Sequence, residues 1–281
     1  MNPTINRLFI GELSWRRVIR SLLLIPIFVY LGLFTIAWFF PNKILFRPQT
    51  ASYKDDSSVI KLSTSNGEKI SAKFYPNDAA LFTILFSHGN AEDIGTIEPF
   101  ILKLRESGFS VLTYDYRGYG RSHGTPTEEN TYGDIQAAYE YLTGTREIPP
   151  HRIILHGRSV GGGPAVDLAS RESVGGLILE STFTSASRVL TRVRIVPFDK
   201  FENISKIAAV NCPVLVIHGK KDGTIPFHHG EKLFAAANDP KVSLWIDNAG
   251  HNNLFRTASE TYLIAIRDFA ASLANKLPSV P

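Results

Sequence analysis

The chain has 281 residues, of which 44% are hydrophobic and 20% are charged, so it has enough apolar material for one large α/β domain or two small ones. Its net charge is only +4 and it has no long basic run interleaved with aromatic residues, which argues against a nucleic-acid-binding protein. The single cysteine, Cys212, excludes an intrachain disulfide framework and a cysteine-rich metal site.

The N-terminal part of the chain contains a long uncharged apolar stretch. After a tail at residues 1–20, residues 21–40 read SLLLIPIFVYLGLFTIAWFF, and a helix of about 20 such residues spans roughly 30 Å of hydrocarbon. A cleaved signal peptide would have a shorter apolar core and a small-residue cleavage site, and a core helix of this length without a charge is unusual. The sequence therefore predicts a single-pass transmembrane anchor at residues 21–40.

Basic residues flank this predicted span unequally. Arg16, Arg17 and Arg20 precede it, whereas Lys43 and Arg47 follow it. Because cytoplasmic flanks carry the excess of lysine and arginine, the bias favours a cytoplasmic N-terminus. The rest of the chain, which would carry the catalytic groups, is then expected on the non-cytoplasmic side of the membrane.

Beyond an irregular linker at residues 41–57, strand patterns alternate with helical patterns from residue 58 to residue 277. The strand patterns lie at residues 58–64, 69–75, 82–88, 109–115, 152–157, 175–181, 213–219 and 241–247. Helices are predicted near residues 93–107, 127–143, 228–237 and 255–275, with one more that ends near residue 172. The turn signal Asn66-Gly67 predicts a hairpin between the first two strands. The alternation is typical of a mostly parallel sheet of about eight strands with helices on both faces.

Residues 183–212 depart from this alternation, because they lie between two strand patterns without a long helical period. Two interpretations remain open for this segment. It forms a small cap over a site at the edge of the sheet, or it is an ordinary crossover with a decorated loop.

The segment LHGRSVGGGPA, residues 155–165, places one serine among four glycines. Its residues 157–161 match the pattern G-x-S-x-G between a predicted strand and a predicted helix, which is the context of a nucleophile elbow. In such an elbow the serine occupies a strained turn, and the residues two positions to either side are small because the strand and helix backbones converge there. Ser159 is therefore predicted to be a nucleophile.

A serine hydroxyl needs a base, and the base needs an orienting carboxylate. Two later loops supply them in the chain order that this architecture uses: Asp222 follows the strand PVLVIHG, and His251 follows the strand VSLWID. Alone, either residue would fit a turn or a solvated loop, but order and strand context together predict a triad of Ser159, Asp222 and His251. Weaker alternatives for the acid and the base are Asp199, Asp247, His228 and His229.

The charge that develops on a carbonyl oxygen under attack needs backbone N–H donors. One donor is predicted to be Val160, which follows the nucleophile at the start of a helix. The second is predicted to be Asn90, in the loop HGNAED after the third strand pattern. His88 of the same loop is interpreted as structural. The sequence contains no metal-ligand spacing, and the predicted chemistry needs no cofactor.

The chain resembles the α/β-hydrolase superfamily, and within it the Bem46-like branch and the branch of α/β-hydrolase domain-containing proteins 17 and 13. The matching stretches cover the domain from about residue 60 to 275 in order: FSHGNAEDIG (86–95), YDYRGYGRSHGTPTEEN (114–130), HGRSVGGGPA (156–165), HGKKDGTIPF (218–227) and NAGHNN (248–253). The resemblance implies an α/β-hydrolase fold and a serine hydrolase with Ser159, Asp222 and His251 as its triad. Members like protein 17 have a lipidated, cysteine-rich N-terminus and are associated with depalmitoylation of proteins, whereas this chain has an apolar span in place of that cysteine cluster.

Together, the residues and the resemblance lead us to expect a membrane-anchored serine hydrolase that cleaves carboxylic esters or acyl thioesters through an acyl-enzyme. Its expected partners are a small-molecule or lipid-like substrate or an acylated protein, and a membrane through residues 21–40, but no nucleic acid. Two alternatives remain open, a serine peptidase of the same fold and a non-catalytic binding protein on a hydrolase scaffold.

Overall fold

A computed structural model describes residues 15–39, 41–190 and 199–275. Most of the predicted N-terminal tail, the last residue of the predicted span, residues 191–198 of the predicted cap and the C-terminal residues 276–281 lie outside the described part. The chain divides into two units, of which the first ends at Leu45 and the second begins at Phe46.

The first unit is helical in its described part. Helix α1 spans Trp15–Phe39, and a short helix, α2, spans Pro41–Leu45. Within α1, the 18 residues Val18–Thr35 have a mean hydropathy of 2.1, and none of them is buried. Helix α1 is therefore long and apolar enough to cross a membrane. Leucines of a core helix would be buried, whereas the leucines of α1 are exposed. A signal sequence would meet the same length and composition criteria.

The second unit is built on one sheet. Its strands are β1 (Ile60–Ser63), β2 (Lys69–Tyr75), β3 (Thr83–Ser87), β4 (Ser110–Tyr114), β5 (Ile153–Arg158), β6 (Gly176–Glu180), β7 (Val214–Gly219) and β8 (Lys241–Ile246). Within the described residues they form an eight-stranded sheet in the order β1-β2-β4-β3-β5-β6-β7-β8. Strand β2 is antiparallel to both of its neighbours, and all other pairs are parallel. The predicted mostly parallel sheet and its leading hairpin are confirmed.

Helices alternate with these strands along the chain. They are α3 (Ile94–Glu106), α4 (Glu128–Glu140), α5 (Gly162–Arg171), α6 (Ser187–Leu190), α7 (Asn203–Lys206), α8 (His228–Ala236) and α9 (Leu254–Ala274). Short helical turns lie at Tyr141–Thr145, Pro150–Arg152, Ser159–Gly161 and Ile207–Ala209. Helix α3 begins in a capping box, in which the side chains of Asp93 and Thr96 each accept a hydrogen bond from the other's backbone N–H, so its start is fixed locally.

The helices cover both faces of the sheet. On one face, Ile97 of α3 and Ile266 of α9 belong to the same apolar cluster as Ile154 of β5. The next strand residue, Leu155, is equally buried but lies outside this cluster, because successive side chains of a strand point to opposite faces. Helices α4, α5 and α8 contact the sheet outside the cluster and cover this second face. Burial on both faces explains why the central strands read as continuous apolar runs.

The segment at residues 183–212 has little regular structure in its described part. It contains α6, α7 and the turn Ile207–Ala209. The backbone N–H of Ser187 donates to Asp199 Oδ1 at 2.9 Å and its hydroxyl to Asp199 Oδ2 at 2.6 Å, which ties the start of α6 to the chain beyond residues 191–198. A cap at this position stays a prediction.

Strands β5, β7 and β8 run parallel, so their carboxyl ends lie at the same edge of the sheet. Ser159 directly follows β5, Asp222 lies three residues after β7, and His251 lies five residues after β8. Loops at the carboxyl ends of parallel strands are the usual position of a ligand site in α/β folds. The fold therefore brings the three candidate side chains to one edge.

Candidate active site

Ser159 occupies the sharp turn between β5 and α5. Its φ of +54° lies in the left-handed region, which a non-glycine residue adopts at a cost of about 1–3 kcal/mol. The turn Ser159–Gly161 continues directly into α5, and the hydroxyl of Thr182 donates to the carbonyl oxygen of Ser159 at 2.7 Å. A strand that leads through a strained turn directly into a helix has the geometry of a nucleophile elbow.

The glycines around Ser159 allow backbones to approach closely. A Cβ on Gly157 would lie 2.5 Å from the carbonyl oxygen of Gly161 and 2.7 Å from the Cα of Gly162. A Cβ on Gly161 would overlap the carbonyl oxygen of Ser87 at the end of β3 and lie 2.8 Å from that of His88. Because these neighbours are backbone atoms and cannot turn aside, the elbow requires glycine at both positions.

The structure brings the three predicted triad residues into one hydrogen-bonded chain. The Nε2 atom of His251 lies 3.0 Å from Ser159 Oγ, and its Nδ1 atom lies 2.8 Å from Asp222 Oδ2. Because an ionised carboxylate can only accept, Nδ1 of His251 carries the proton and Nε2 accepts from the serine hydroxyl. The histidine side chain is 12% exposed and the carboxylate is fully buried. Nε2 of His251 can therefore accept the hydroxyl proton of Ser159 without the movement of a heavy atom.

Asp222 is held as an anion by several donors. Burial alone would raise the pKa of its carboxyl group, but the hydrogen bond from His251 and those from the backbone N–H groups of Ile225 and Thr224 lower the pKa below its usual range. The two backbone bonds measure 2.8 and 2.9 Å. These donors keep the Asp222 carboxylate ionised and hold it in the position from which it orients the imidazole of His251.

The weaker candidates for the acid and the base lie elsewhere. Asp199 binds Ser187, and Asp247 is an exposed partner of Lys220 at 2.7 Å. His228 and His229 stack on each other at the start of α8. Burial, with the neighbouring charge of His228, lowers the pKa of His229 to about 4. None of the four takes part in the hydrogen-bonded chain that contains Ser159.

The loop after β3 lies against the elbow. A Cβ built on Gly89 would be 3.6 Å from the Cβ of Ser159. The backbone N–H of Gly89 donates to Glu92 Oε2 at 2.7 Å. Asn90 directly follows Gly89, and Val160 directly follows Ser159 in the turn that opens α5. The two predicted oxyanion donors therefore come from segments that adjoin the nucleophile, and their role stays a prediction.

His88 is enclosed at the base of this loop. Its side chain is fully buried, its Nδ1–H donates to the carbonyl oxygen of Gly89 at 2.8 Å, and its ring packs against Tyr116. Burial lowers the pKa of His88, but Asp115, whose Oδ1 lies 3.5 Å from Nε2, outweighs that effect and raises it. Its contacts are with its own loop and with residues 115–119, which follow β4, and its structural role stays a prediction.

Arg158, the residue before the nucleophile, links two carboxylates that the sequence reasoning did not use. Its guanidinium lies 3.1 Å from Glu92 Oε1 and 3.6 Å from Glu180 Oε1. Glu180 ends β6 and also accepts from Tyr262 at 2.8 Å and from His156 at 3.1 Å. The only sequence signal for this network was the position of Glu180 at the carboxyl end of the strand that neighbours β5.

The described residues contain no group of three or more histidine, cysteine, aspartate and glutamate side chains that could hold a metal ion. At the carboxyl edge of the sheet, His251 is bonded to both Asp222 and Ser159. The chemistry that this arrangement can perform is proton transfer and nucleophilic attack by its own side chains.

Comparisons with known proteins agree with this architecture. A family model described as serine aminopeptidase, S33 matches residues 79–207. Alpha/beta hydrolase domain-containing protein 17B of Homo sapiens is 42% identical over 207 residues, which are 72% of this chain and 71% of that protein. The protein aho-3 of Caenorhabditis elegans, also described as alpha/beta hydrolase domain-containing, is 43% identical over 194 residues, 67% of this chain and 57% of that protein.

Solved structures share the fold at low sequence identity. The esterase Pf2001 of Pyrococcus furiosus superposes with a TM-score of 0.68 at 17% identity, over 81% of this chain and 98% of that one. The esterase domain of a Rhodothermus marinus protein gives a TM-score of 0.60 at 19% identity, over 75% of this chain and 96% of that one. At these identities the likeness establishes the fold.

Proposed function

The chain belongs to the α/β-hydrolase family, together with α/β hydrolase domain-containing protein 17B, and we propose that it is a membrane-anchored serine hydrolase that cleaves carboxylic esters or acyl thioesters. The observation that carries this proposal is the bonded chain of Ser159, His251 and Asp222 at the carboxyl edge of the sheet. A non-catalytic binding protein would have no need of a strained serine with a base and an orienting carboxylate in line.

In the first half-reaction, Ser159 Oγ attacks the acyl carbon of the substrate while its proton passes to Nε2 of His251. The Asp222 carboxylate, bonded to Nδ1, stabilises the imidazolium that forms. When the tetrahedral intermediate collapses, His251 returns the proton to the leaving alkoxide or thiolate. The acyl group then remains on Ser159 as an ester.

In the second half-reaction, water takes the place of the leaving group. His251 accepts a proton from the water as it attacks the acyl-enzyme, and then gives that proton to Ser159 Oγ as the acid departs. Both steps use the same three side chains in the same positions. No cofactor enters either step.

Two backbone N–H groups, those of Val160 and Asn90, are proposed to bind the oxyanion in both tetrahedral intermediates. The support for Val160 is its place directly after the nucleophile, in the turn that opens α5. The support for Asn90 is its place directly after Gly89, which adjoins the Cβ of Ser159.

The proposed membrane anchor is residues 21–40, of which residues 21–39 lie in α1. Its support is the exposed apolar window Val18–Thr35 together with the separate unit that begins at Phe46. The excess of arginine before the span favours a cytoplasmic N-terminus and a catalytic domain on the other side. In sealed vesicles with the cytoplasmic face outward, added protease should then spare the domain until detergent is present. Digestion before detergent would reverse the proposed orientation.

The test of the proposed reaction combines an active-site probe with a substrate panel. A fluorophosphonate should label the folded full-length chain and leave the heat-denatured chain unlabelled, because only the folded site activates the serine. The panel contains p-nitrophenyl esters of increasing chain length, one acyl thioester and one aminoacyl p-nitroanilide. Turnover of the esters or the thioester is expected.

Three outcomes would contradict the proposal in different ways. Preference for the anilide would favour the peptidase that the matched family description names. Absence of both labelling and turnover in the folded chain would favour the non-catalytic alternative. Ester turnover that a fluorophosphonate does not inhibit would move the chemistry away from Ser159.

A further inference from the structure

Residues 46–53, which precede β1, lie against the loop after β3 and form what we call the strap. Phe46, at its start, is 4% exposed and packs edge-on against the rings of Tyr119 and Phe201, with centroid distances of 6.5 and 6.0 Å. The sequence pattern of this region is that of an irregular linker, but its first residue is part of the domain interior.

The other end of the strap is held at the start of α3. The backbone N–H of Ser52 donates to Asp93 Oδ2 at 2.6 Å, and its hydroxyl donates to Asp93 Oδ1. A Cβ on Gly95 would overlap Ser52 Oγ and lie 3.0 Å from Tyr53 Cβ, so the two segments are in close contact. Tyr53 in turn donates its hydroxyl proton to Asp115. The strap is therefore fixed at both ends, with residues 88–92 beside it.

Between these ends, the strap reaches Asn90 through a triangle of hydrogen bonds. The backbone N–H of Arg47 donates to Asn90 Oδ1 at 2.9 Å and to Tyr119 Oη at 3.0 Å. The Tyr119 hydroxyl donates to the same Asn90 Oδ1 at 2.6 Å. Tyr119 is fully buried, so its hydroxyl has a fixed place. The side chain of Asn90 is thus held from two directions.

The loop needs such support because its backbone is strained. Ala91, directly after Asn90, has a φ of +60°, and a non-glycine residue keeps this conformation only where its surroundings hold it. An oxyanion donor must stay within about 0.5 Å of its productive position to be effective. The side-chain oxygen of Asn90 is the group on which both supports converge.

We propose that the strap and Tyr119 position the oxyanion loop, so that the segment leading out of the apolar helix is part of the active-site framework. The proposal rests on the proposed hydrolase function and on Asn90 as an oxyanion donor. Tyr119 and Arg47 act here through Asn90 and do not touch the substrate, so they are positioning residues.

The experiment compares two tyrosine variants in the full-length chain. Tyr119→Phe removes the hydroxyl of the triangle. Tyr139→Phe is the control, because it removes a hydroxyl that donates from α4 to the carbonyl oxygen of Ser173 at 2.9 Å, a bond that involves neither the strap nor the loop after β3. For Tyr119→Phe we expect kcat for ester hydrolysis to fall about tenfold with KM within twofold of wild type, because loosening a donor costs less than the 10²–10³-fold that removing one costs. For Tyr139→Phe we expect kcat to stay within twofold.

The inhibition constant of a trifluoromethyl ketone would not change if Tyr119 had only a structural role. Attack by Ser159 on the ketone gives a tetrahedral adduct with an oxyanion, so its inhibition constant should rise by about the same factor as kcat/KM falls. Arg47→Pro, which removes the N–H that the strap donates to Asn90, should likewise lower kcat and raise the inhibition constant.

The outcomes separate this proposal from the one on which it rests. Wild-type chain without esterase activity and without fluorophosphonate labelling would contradict the hydrolase proposal itself. Active wild type with Tyr119→Phe unchanged would overturn only the positioning role. An equal loss of kcat in Tyr119→Phe and Tyr139→Phe, or a loss without weaker ketone binding, would overturn it too, because either result reports general destabilisation.

Discussion

The Nε2 atom of His251 lies 3.0 Å from Ser159 Oγ, although the two residues are 92 positions apart in the chain. The contact joins the loop after β8 to the elbow after β5, and it is possible because these strands end at the same edge of the sheet. Asp222, bonded to the other nitrogen of the ring, lies in the loop after β7, which is between β5 and β8 in the chain.

Replacing the nucleophile tests its assignment. Ser159→Ala removes one hydroxyl from a turn that alanine occupies with the same strain, so we expect kcat to fall on the order of 10⁴-fold or more while the thermal midpoint stays within a few degrees. Kinetics on the preferred ester and a thermal melt measure both quantities. Residual activity within tenfold of wild type would show that another group attacks the substrate.

The base should act as a unit with the nucleophile. We expect His251→Ala to be nearly as damaging as Ser159→Ala, and the double variant to be little worse than either single one, because each change disables the same step. His228→Ala is the matched control, since this histidine lies on α8 outside the bonded chain. Losses that add up in the double variant would place His251 in a separate step.

Glycine at the elbow should be required for steric reasons. In Gly161→Ala the new Cβ would overlap the carbonyl oxygen of Ser87, so the elbow must shift and we expect a lower thermal midpoint and the loss of most fluorophosphonate labelling. Gly144→Ala is the control, because a Cβ there meets no atom within 4 Å. If both variants label as wild type does, the close approach at Gly161 is not essential.

The buried carboxylate of Glu180 should make stability depend on pH. Burial alone would raise its pKa, but the hydrogen bond from His156, the charge of Arg158 and the hydrogen bond from Tyr262 lower it from 4.5 to about 2. Because the folded pKa lies below the unfolded one, the stabilisation is complete above about pH 4.5 and is lost as the pH falls toward 2. Glu180→Gln should therefore lower the thermal midpoint at pH 7 by about 5–10 °C, and this gap should narrow below pH 4.5.

The measurement for Glu180 is thermal unfolding of the detergent-solubilised chain at several pH values. Glu260→Gln, which changes an exposed glutamate on α9, is the control and should match wild type throughout. If the difference in thermal midpoint between wild type and Glu180→Gln stays constant down to pH 3, the charge of this carboxylate contributes nothing to stability.

Removing the apolar helix should release the domain. We expect deletion of residues 1–42 to give a soluble chain with kcat close to that of the full-length protein, because the second unit begins at Phe46 and the strap is retained. The full-length chain should resist extraction by carbonate or high salt, since a span of about 20 apolar residues binds a bilayer far more strongly than a surface contact does. Recovery of the full-length chain in the soluble fraction, or of a chain shortened to begin near residue 40, would contradict the anchor.

The sequence by itself determined the framework of this protein. The apolar runs of β3 to β7 identify strands that are buried on both faces, and glycines at fixed distances from Ser159 identify the elbow, because both signals are local in the chain. The order of Ser159, Asp222 and His251 after successive strands was enough to select the residues that the structure brings together, since parallel strands send their carboxyl ends to one edge.

Tertiary structure alone decided the supports of the site. The bonds from Arg47 to Asn90 and from Tyr262 to Glu180 join residues 43 and 82 positions apart, and nothing in the local sequence of Arg47 or Tyr262 identifies the residue to which it bonds. The strap belongs to no helix or strand, because its hydrogen bonds run to side chains of other segments. Its sequence therefore has no hydrophobic periodicity and looks like that of a linker. Strands and turns can be identified from patterns among neighbouring residues, whereas a polar network forms only when folding places its distant members within about 3 Å of one another.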